Sequence, residues 1–291
     1  MHHSDGTFDS RNAEQVYWQS WTPAESPRAV LLLVHGLAEH SGRYQGFAEF
    51  FTSAGIAVYA LDHPGHGRSA GHKCHIGRFA DFTDTLDQYL ALVEKAQPDV
   101  PVILVGHSMG GLIAASYLTK RQSRFAAAVL SGPAIRAPQQ PSRFALFIMR
   151  ILARLFPRLG VLQLDSAGVS RNPDVVSKYD SDPLVFRGKV TARLAAELFS
   201  EMDKVLAEAE TIHLPLLILH GGSDSLTDVE GSKSLHETVS SADKKIVVYE
   251  GLYHEIFNEP ERIAVMTEMK EWLETRLADS DERQGSARVS A

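Results

Sequence analysis

One cysteine, Cys74, stands among 291 residues. A lone thiol cannot close an internal disulfide, so nothing points to an oxidising compartment. No stretch reaches the roughly 18 uninterrupted apolar residues of a membrane span. Met1 to Arg11 is polar and holds no apolar signal-peptide region, so no secretory signal is expected and a cytoplasmic location is. His2 and His3 receive no role. A basic excess is missing too: 29 Lys and Arg face 36 Asp and Glu, a net charge of −7 that argues against a nucleic-acid partner. No G-x-G-x-x-G follows the first apolar run, which excludes a dinucleotide-binding βα turn.

What is present is an ordinary globular balance, 44 % apolar and 22 % charged, in a chain long enough to bury a large core. Val16–Trp21 reads as an edge strand. Continuous apolar runs follow at Ala29–His35, Ile56–Leu61, Val102–Val105, Ala126–Ser131, Leu214–His220 and Lys245–Tyr249. Such runs suit strands buried on both faces of a parallel sheet. Helical patterns separate them at Tyr44–Ala54, Phe79–Ala96, Gly110–Lys120, Val229–Val239 and Glu261–Leu277. The alternation predicts an α/β fold: a mostly parallel central sheet flanked by helices.

Between Pro133 and Thr211 the rhythm breaks, with helical patterns and no convincing strand. The expected organisation is a first core part over residues 12–133 and a helical cap over 134–211. A second core part spans 212–278, and a flexible tail 279–291. Within the cap, Arg143–Phe156 is strongly apolar, with Arg143, Arg150 and Arg154 spaced to share a face. Phe144, Leu146, Phe147, Ile148, Ile151, Leu152, Leu155 and Phe156 exceed what one buried face needs, with Phe144, Phe147, Ile148 and Ile151 the acyl-pocket candidates. They are read as an acyl-pocket wall with an apolar patch that docks on a membrane, the competing reading being a helix packed on the body or in a dimer.

Gly106-His107-Ser108-Met109-Gly110 is a G-x-S-x-G motif between an apolar run and a helical pattern. That strand–turn–helix context is what a nucleophilic serine on a strained turn requires, with Gly106 and Gly110 letting strand and helix approach. A serine hydroxyl needs a base, and the base needs an orienting carboxylate. On this scaffold the chain order is serine, acid, histidine. Asp224, in the loop after Leu214–His220, is the expected acid, with Asp228 in reserve. His254, in the loop after Lys245–Tyr249, is the expected base, ahead of His236. The backbone N–H groups of Leu37 and Met109 are the expected oxyanion donors. Four histidines and Cys74 crowd Asp62–His75, but their spacing matches no zinc pattern and no metal is expected.

Longer stretches carry a resemblance. They are His35-Gly36-Leu37-Ala38-Glu39-His40-Ser41-Gly42-Arg43-Tyr44, the run Leu61–Ser69, the elbow through Gly111, Ser181-Asp182-Pro183-Leu184, and Tyr249–Glu255. Together they resemble the monoacylglycerol lipase (monoglyceride lipase) branch of the α/β-hydrolases, from about Ala29 to Leu277. The HG-x-x-EHSGRY stretch is more specific to that branch than the elbow. The resemblance implies cofactor-free hydrolysis of 1- and 2-monoacylglycerols, so the expected partner is a single-chain lipid ester, with peripheral membrane contact through the cap. It implies Ser108 as nucleophile, Asp224 as acid, His254 as base and the Leu37 and Met109 amides as oxyanion hole. Lysophospholipase, thioesterase and broad carboxylesterase activities fit the same scaffold. Cofactor-free haloperoxidases share the triad. A non-catalytic ligand-binding homologue is the alternative from outside enzymology.

Overall fold

The computed structural model describes residues 1–12 and 14–289, without the side chains from 278 onward. The tail expected over 279–291 is helical in its backbone to Val289, and residues 290 and 291 lie outside the described residues. The strands are β1 (His2–Asp9), β2 (Gln15–Thr22), β3 (Ala29–Val34), β4 (Ile56–Leu61), β5 (Val102–His107), β6 (Ala127–Ser131), β7 (Gly160–Leu162), β8 (Val190–Thr191), β9 (Leu216–Gly221) and β10 (Lys244–Tyr249). One eight-stranded sheet runs β1-β2-β4-β3-β5-β6-β9-β10, and β7 pairs with β8 alone. Every pair from β4 to β10 is parallel, while β1–β2 and β2–β4 are antiparallel.

The helices are α1 (Gln45–Ser53), α2 (Ala80–Ala96), α3 (Met109–Arg121), α4 (Arg143–Leu155), α5 (Pro173–Ser181), α6 (Ala192–Glu208), α7 (Val229–Thr238) and α8 (Arg262–Val289). They cover both sheet faces, and strand alternation sorts the core accordingly. Val30, Leu32 and Val34 join a cluster with Leu86 of α2, Leu112 of α3 and Leu198 of α6. Ala29, Leu31 and Leu33 join the opposite cluster with Phe51 of α1 and Met269 of α8. Each fully buried leucine contributes roughly 1.5–3 kcal/mol.

Two expectations are corrected. Val16–Trp21 is not the sheet edge: β1 pairs with β2 from His2↔Thr22 to Asp9↔Gln15 and takes that place. β1 is almost wholly polar. Its Phe8 ring stacks on Tyr89 at 5.9 Å and His3 meets Gln19 at 3.0 Å, but most of its hold is a backbone ladder that no hydrophobic period reports. The segment after Pro133 also holds strands, β7 and β8, which are too short to show a period of two.

The parallel topology puts the ends of β3, β5, β6, β9 and β10 along one rim. In open α/β sheets the carboxyl ends of the strands are where ligands bind. The cap elements lie over this rim: α6 packs on α3 of the core, and α4 packs on α6.

Candidate active site

Ser108 joins β5 to α3 at φ 54° and ψ −120°, a backbone state costly for a side chain with a Cβ. The surroundings hold it there. Its N–H donates to Ser131 O (3.0 Å), and its carbonyl accepts from Ala134 N (2.9 Å) and Leu112 N (3.1 Å). The flanking glycines allow the approach. A Cβ on Gly110 would lie 2.0 Å from Val34 O, and one on Gly106 2.5 Å from Gly110 O.

After β9, Asp224 folds into a tight turn. Its Oδ1 accepts from Leu226 N (2.8 Å) and Thr227 N (3.0 Å). Its Oδ2 lies 2.6 Å from His254 Nδ1, 2.8 Å from the Thr227 hydroxyl and 3.3 Å from His220 Nε2. Burial by itself would raise the Asp224 carboxyl, but His254, His220 and the Thr227 N–H hold it well below the usual carboxylate range. Burial would lower His254, and here the Asp224 carboxylate wins, so the imidazole sits above its ordinary value. With Nδ1 bound to Asp224, Nε2 is the ring nitrogen left to face the cavity. Among the described residues the Ser108 hydroxyl has no hydrogen-bond partner, and such bonds often tighten only with substrate present.

Ser108, His254, Leu37 and Met109 line one cavity. Met109 opens α3, and a first-turn N–H has no acceptor within its own helix. The reserve acid lies elsewhere in role. Asp228 caps α7, accepting from Glu230 N at 3.0 Å, and pairs with Arg136 at 3.0 Å. His236 sits in the last turn of α7, away from the cavity walls.

The acyl-pocket residues expected on α4 do not line this cavity. Phe144 and Phe147 are 73 % and 57 % exposed, and Ile148 and Ile151 are also exposed. In their stead Leu198, Phe199 and Met202 of α6, with Leu162 and Leu164, form the apolar wall. The reason is layering: α6 takes the inner position, and α4 stacks outside it with Ala153 as its buried residue.

The HG-x-x-EHSGRY stretch carries a network whose roles the sequence reading had not assigned. Glu39, 3 % exposed, accepts from Gly36 N (2.6 Å), Tyr44 OH (2.7 Å) and Arg43 Nη1 (2.8 Å). Arg43 also grips Glu255 with both arms, at 2.6 and 2.7 Å, and lies over the Tyr179 ring. Burial alone would raise Glu39, but Arg43 and nearby histidines hold it at about 2. The available signal was the spacing itself: two acids and an arginine inside the loops that carry Leu37 and His254.

Asp62 organises the histidine-rich loop, accepting from Ser41 N and Oγ (2.8 and 2.6 Å) and from Arg68 N (2.8 Å). The His63 ring is fully buried, 4.4 Å from that of His35 and 5.2 Å from Phe82.

Sheet order, strained serine and helical cap together define an α/β-hydrolase, and the chain is a carboxylic ester hydrolase of that fold. It matches the family described as serine aminopeptidase, S33, over residues 25–261. It is 39 % identical to the monoacylglycerol lipase of Mycolicibacterium smegmatis, covering 94 % of this chain and 98 % of that one. It is 33 % identical to the human monoglyceride lipase, with 92 % and 89 % covered. The crystal structure of the Paleococcus ferrophilus monoacylglycerol lipase superposes at a TM-score of 0.80, with 34 % identity and coverage of 95 % and 100 %. The chain belongs to the monoacylglycerol lipase family.

Proposed function

We propose that this protein hydrolyses monoacylglycerols to a fatty acid and glycerol through an acyl-enzyme on Ser108. The observation that carries the reading is the 2.6 Å pairing of His254 Nδ1 with Asp224 beside a cavity that Ser108 also lines. Asp224 holds the ring so that Nε2 takes the Ser108 proton as the hydroxyl attacks the ester carbonyl. The Leu37 and Met109 amides hold the oxyanion. His254 returns the proton to the glycerol oxygen, and water then releases the acid by the same steps. The apolar wall from α6 suits one acyl chain, and family membership favours a glycerol ester.

The cap spans residues 134–211, and its outer helix α4 is the membrane contact. The supporting observation is an exposed apolar surface that includes Phe144, Phe147, Leu155 and Phe156, with Arg143, Arg150 and Arg154 also exposed. Among the described residues no helix is long and apolar enough to cross a membrane. Such a surface inserts its rings at the headgroup boundary while the arginines meet anionic lipid.

Three measurements test this. Ser108→Ala should abolish turnover of a p-nitrophenyl ester, and activity retained within about tenfold overturns the assignment. Rates on mono-, di- and triacylglycerols and lysophospholipids should rank monoacylglycerol first; a lysophospholipid in that place replaces the substrate. Phe144→Ser with Phe147→Ser should weaken sedimentation with anionic vesicles and spare soluble-ester turnover. Unchanged sedimentation removes the docking role.

A further inference from the structure

Arg43 ties together the two loops on which the reaction would depend. One is the loop of Leu37, held through Glu39, whose Oε1 receives the Gly36 N–H at 2.6 Å. The other is the loop of His254, held through Glu255, the next residue in the chain. All three side chains of this triplet are nearly excluded from water, at 10 %, 4 % and 6 % exposure for Arg43, Glu39 and Glu255. Two carboxylates around one guanidinium leave one uncompensated negative charge beside the imidazole.

We infer that Glu39, Arg43 and Glu255 form a positioning triplet that locks the oxyanion loop to the base loop and, through its net negative charge, sets the pH at which His254 becomes free to act. This rests on the reading of His254 as the base. The groups facing His254 are Asp224 at 2.6 Å, the His107 ring at 4.7 Å, the Thr227 hydroxyl at 3.4 Å, and the triplet itself. His107 is held neutral: burial first, then the charge of His254, lowers it to about 4. That leaves Asp224 and the triplet as the charges that act on the base. Glu255 and Glu39 both favour the charged ring, in addition to Asp224.

The test reads the acid limb of kcat/KM on a soluble p-nitrophenyl ester. Glu255→Gln keeps an oxygen for Arg43 and removes one negative charge. Its acid limb should move to lower pH by about half a unit or more. Glu39→Gln, which removes the triplet's other negative charge and keeps an oxygen for Gly36 N and Arg43, should move the limb in the same direction. A loosened loop would lower kcat without moving the limb. A limb within about 0.2 unit of wild type in Glu255→Gln overturns the electrostatic role, as does a Glu39→Gln limb that moves to higher pH. Should either variant fail to fold, the other decides alone. Fluorophosphonate labelling of Ser108, measured in parallel, separates this failure from failure of the triad, which would leave even the wild type unlabelled.

Discussion

His40 Nε2 lies 2.9 Å from Asp182 Oδ2, across 142 positions of sequence. One residue belongs to the loop after β3 and the other ends α5, so this contact pins the cap to the loop that carries Leu37. It joins two of the stretches that carry the family resemblance. Burial pushes the Asp182 carboxyl up, but the His40 ring and the Leu184 N–H hold it below its ordinary value.

Asp182→Ala should therefore cost about 1 kcal/mol, since it removes one partly exposed charged hydrogen bond and the turn at Leu184. Urea unfolding measures the loss. The same variant should raise KM for a lipid substrate more than it lowers kcat on a soluble ester, because it loosens the cap rather than the triad. A kcat loss on both substrates with no change in KM contradicts that assignment.

Asp224→Asn should lower kcat by about 10⁴ through the wrong histidine tautomer. The pH profile adds a sign. Buried His254 would titrate low, but Asp224 lifts it above its ordinary value, and activity needs the neutral ring. Wild-type activity is thus lost as pH falls through that raised value. Removing the carboxylate should shift the residual activity's acid limb to lower pH, which a pH-rate series would detect.

His63 and His66 make the fold acid-sensitive. Burial, then the neighbouring His35, lowers His66 to about 3 and His63 well below its ordinary value. Unfolded, each takes a proton near 6.5, so between about 6.5 and 3 the unfolded chain binds more protons than the folded one. Stability is present above 6.5 and falls as pH drops below it, by up to about 1.4 kcal/mol per pH unit per histidine. His63 has both ring nitrogens without partners, so His63→Leu loses no side-chain hydrogen bond. It should flatten the fall in Tm between pH 7 and pH 5; an equally steep fall assigns the sensitivity elsewhere.

Cys74 should resist thiol reagents in the native state. It is buried, and burial raises its thiol to about 12, leaving almost no thiolate at neutral pH. Iodoacetamide should label it only after denaturant is added, as mass spectrometry would show. Labelling of the folded protein at the denatured rate contradicts this.

The strand-end positions of Ser108, Asp224 and His254 were legible because each follows an apolar run, and a parallel sheet sends the ends of such runs to one rim. The wall of the cavity was not. α4 and α6 are both amphipathic, and α4 is the more apolar, yet α6 faces the cavity. An apolar stripe reports that a helix has something to bury, not which neighbour will cover it. β1 was missed for a related reason: its main hold is a ladder to β2, and backbone hydrogen bonds leave no trace in side-chain pattern.

By itself the sequence determined the alternation of strands and helices, the turn at Ser108 and the chain order of Ser108, Asp224 and His254 at strand ends. Those depend on local spacing and on chain order, which the residues carry directly. Only the tertiary structure decided that Glu39, Arg43 and Glu255 share one buried charge, that His40 meets Asp182, and that α4 turns its phenylalanines outward. Each is a contact between distant segments, and its geometry exists only once the layers have packed.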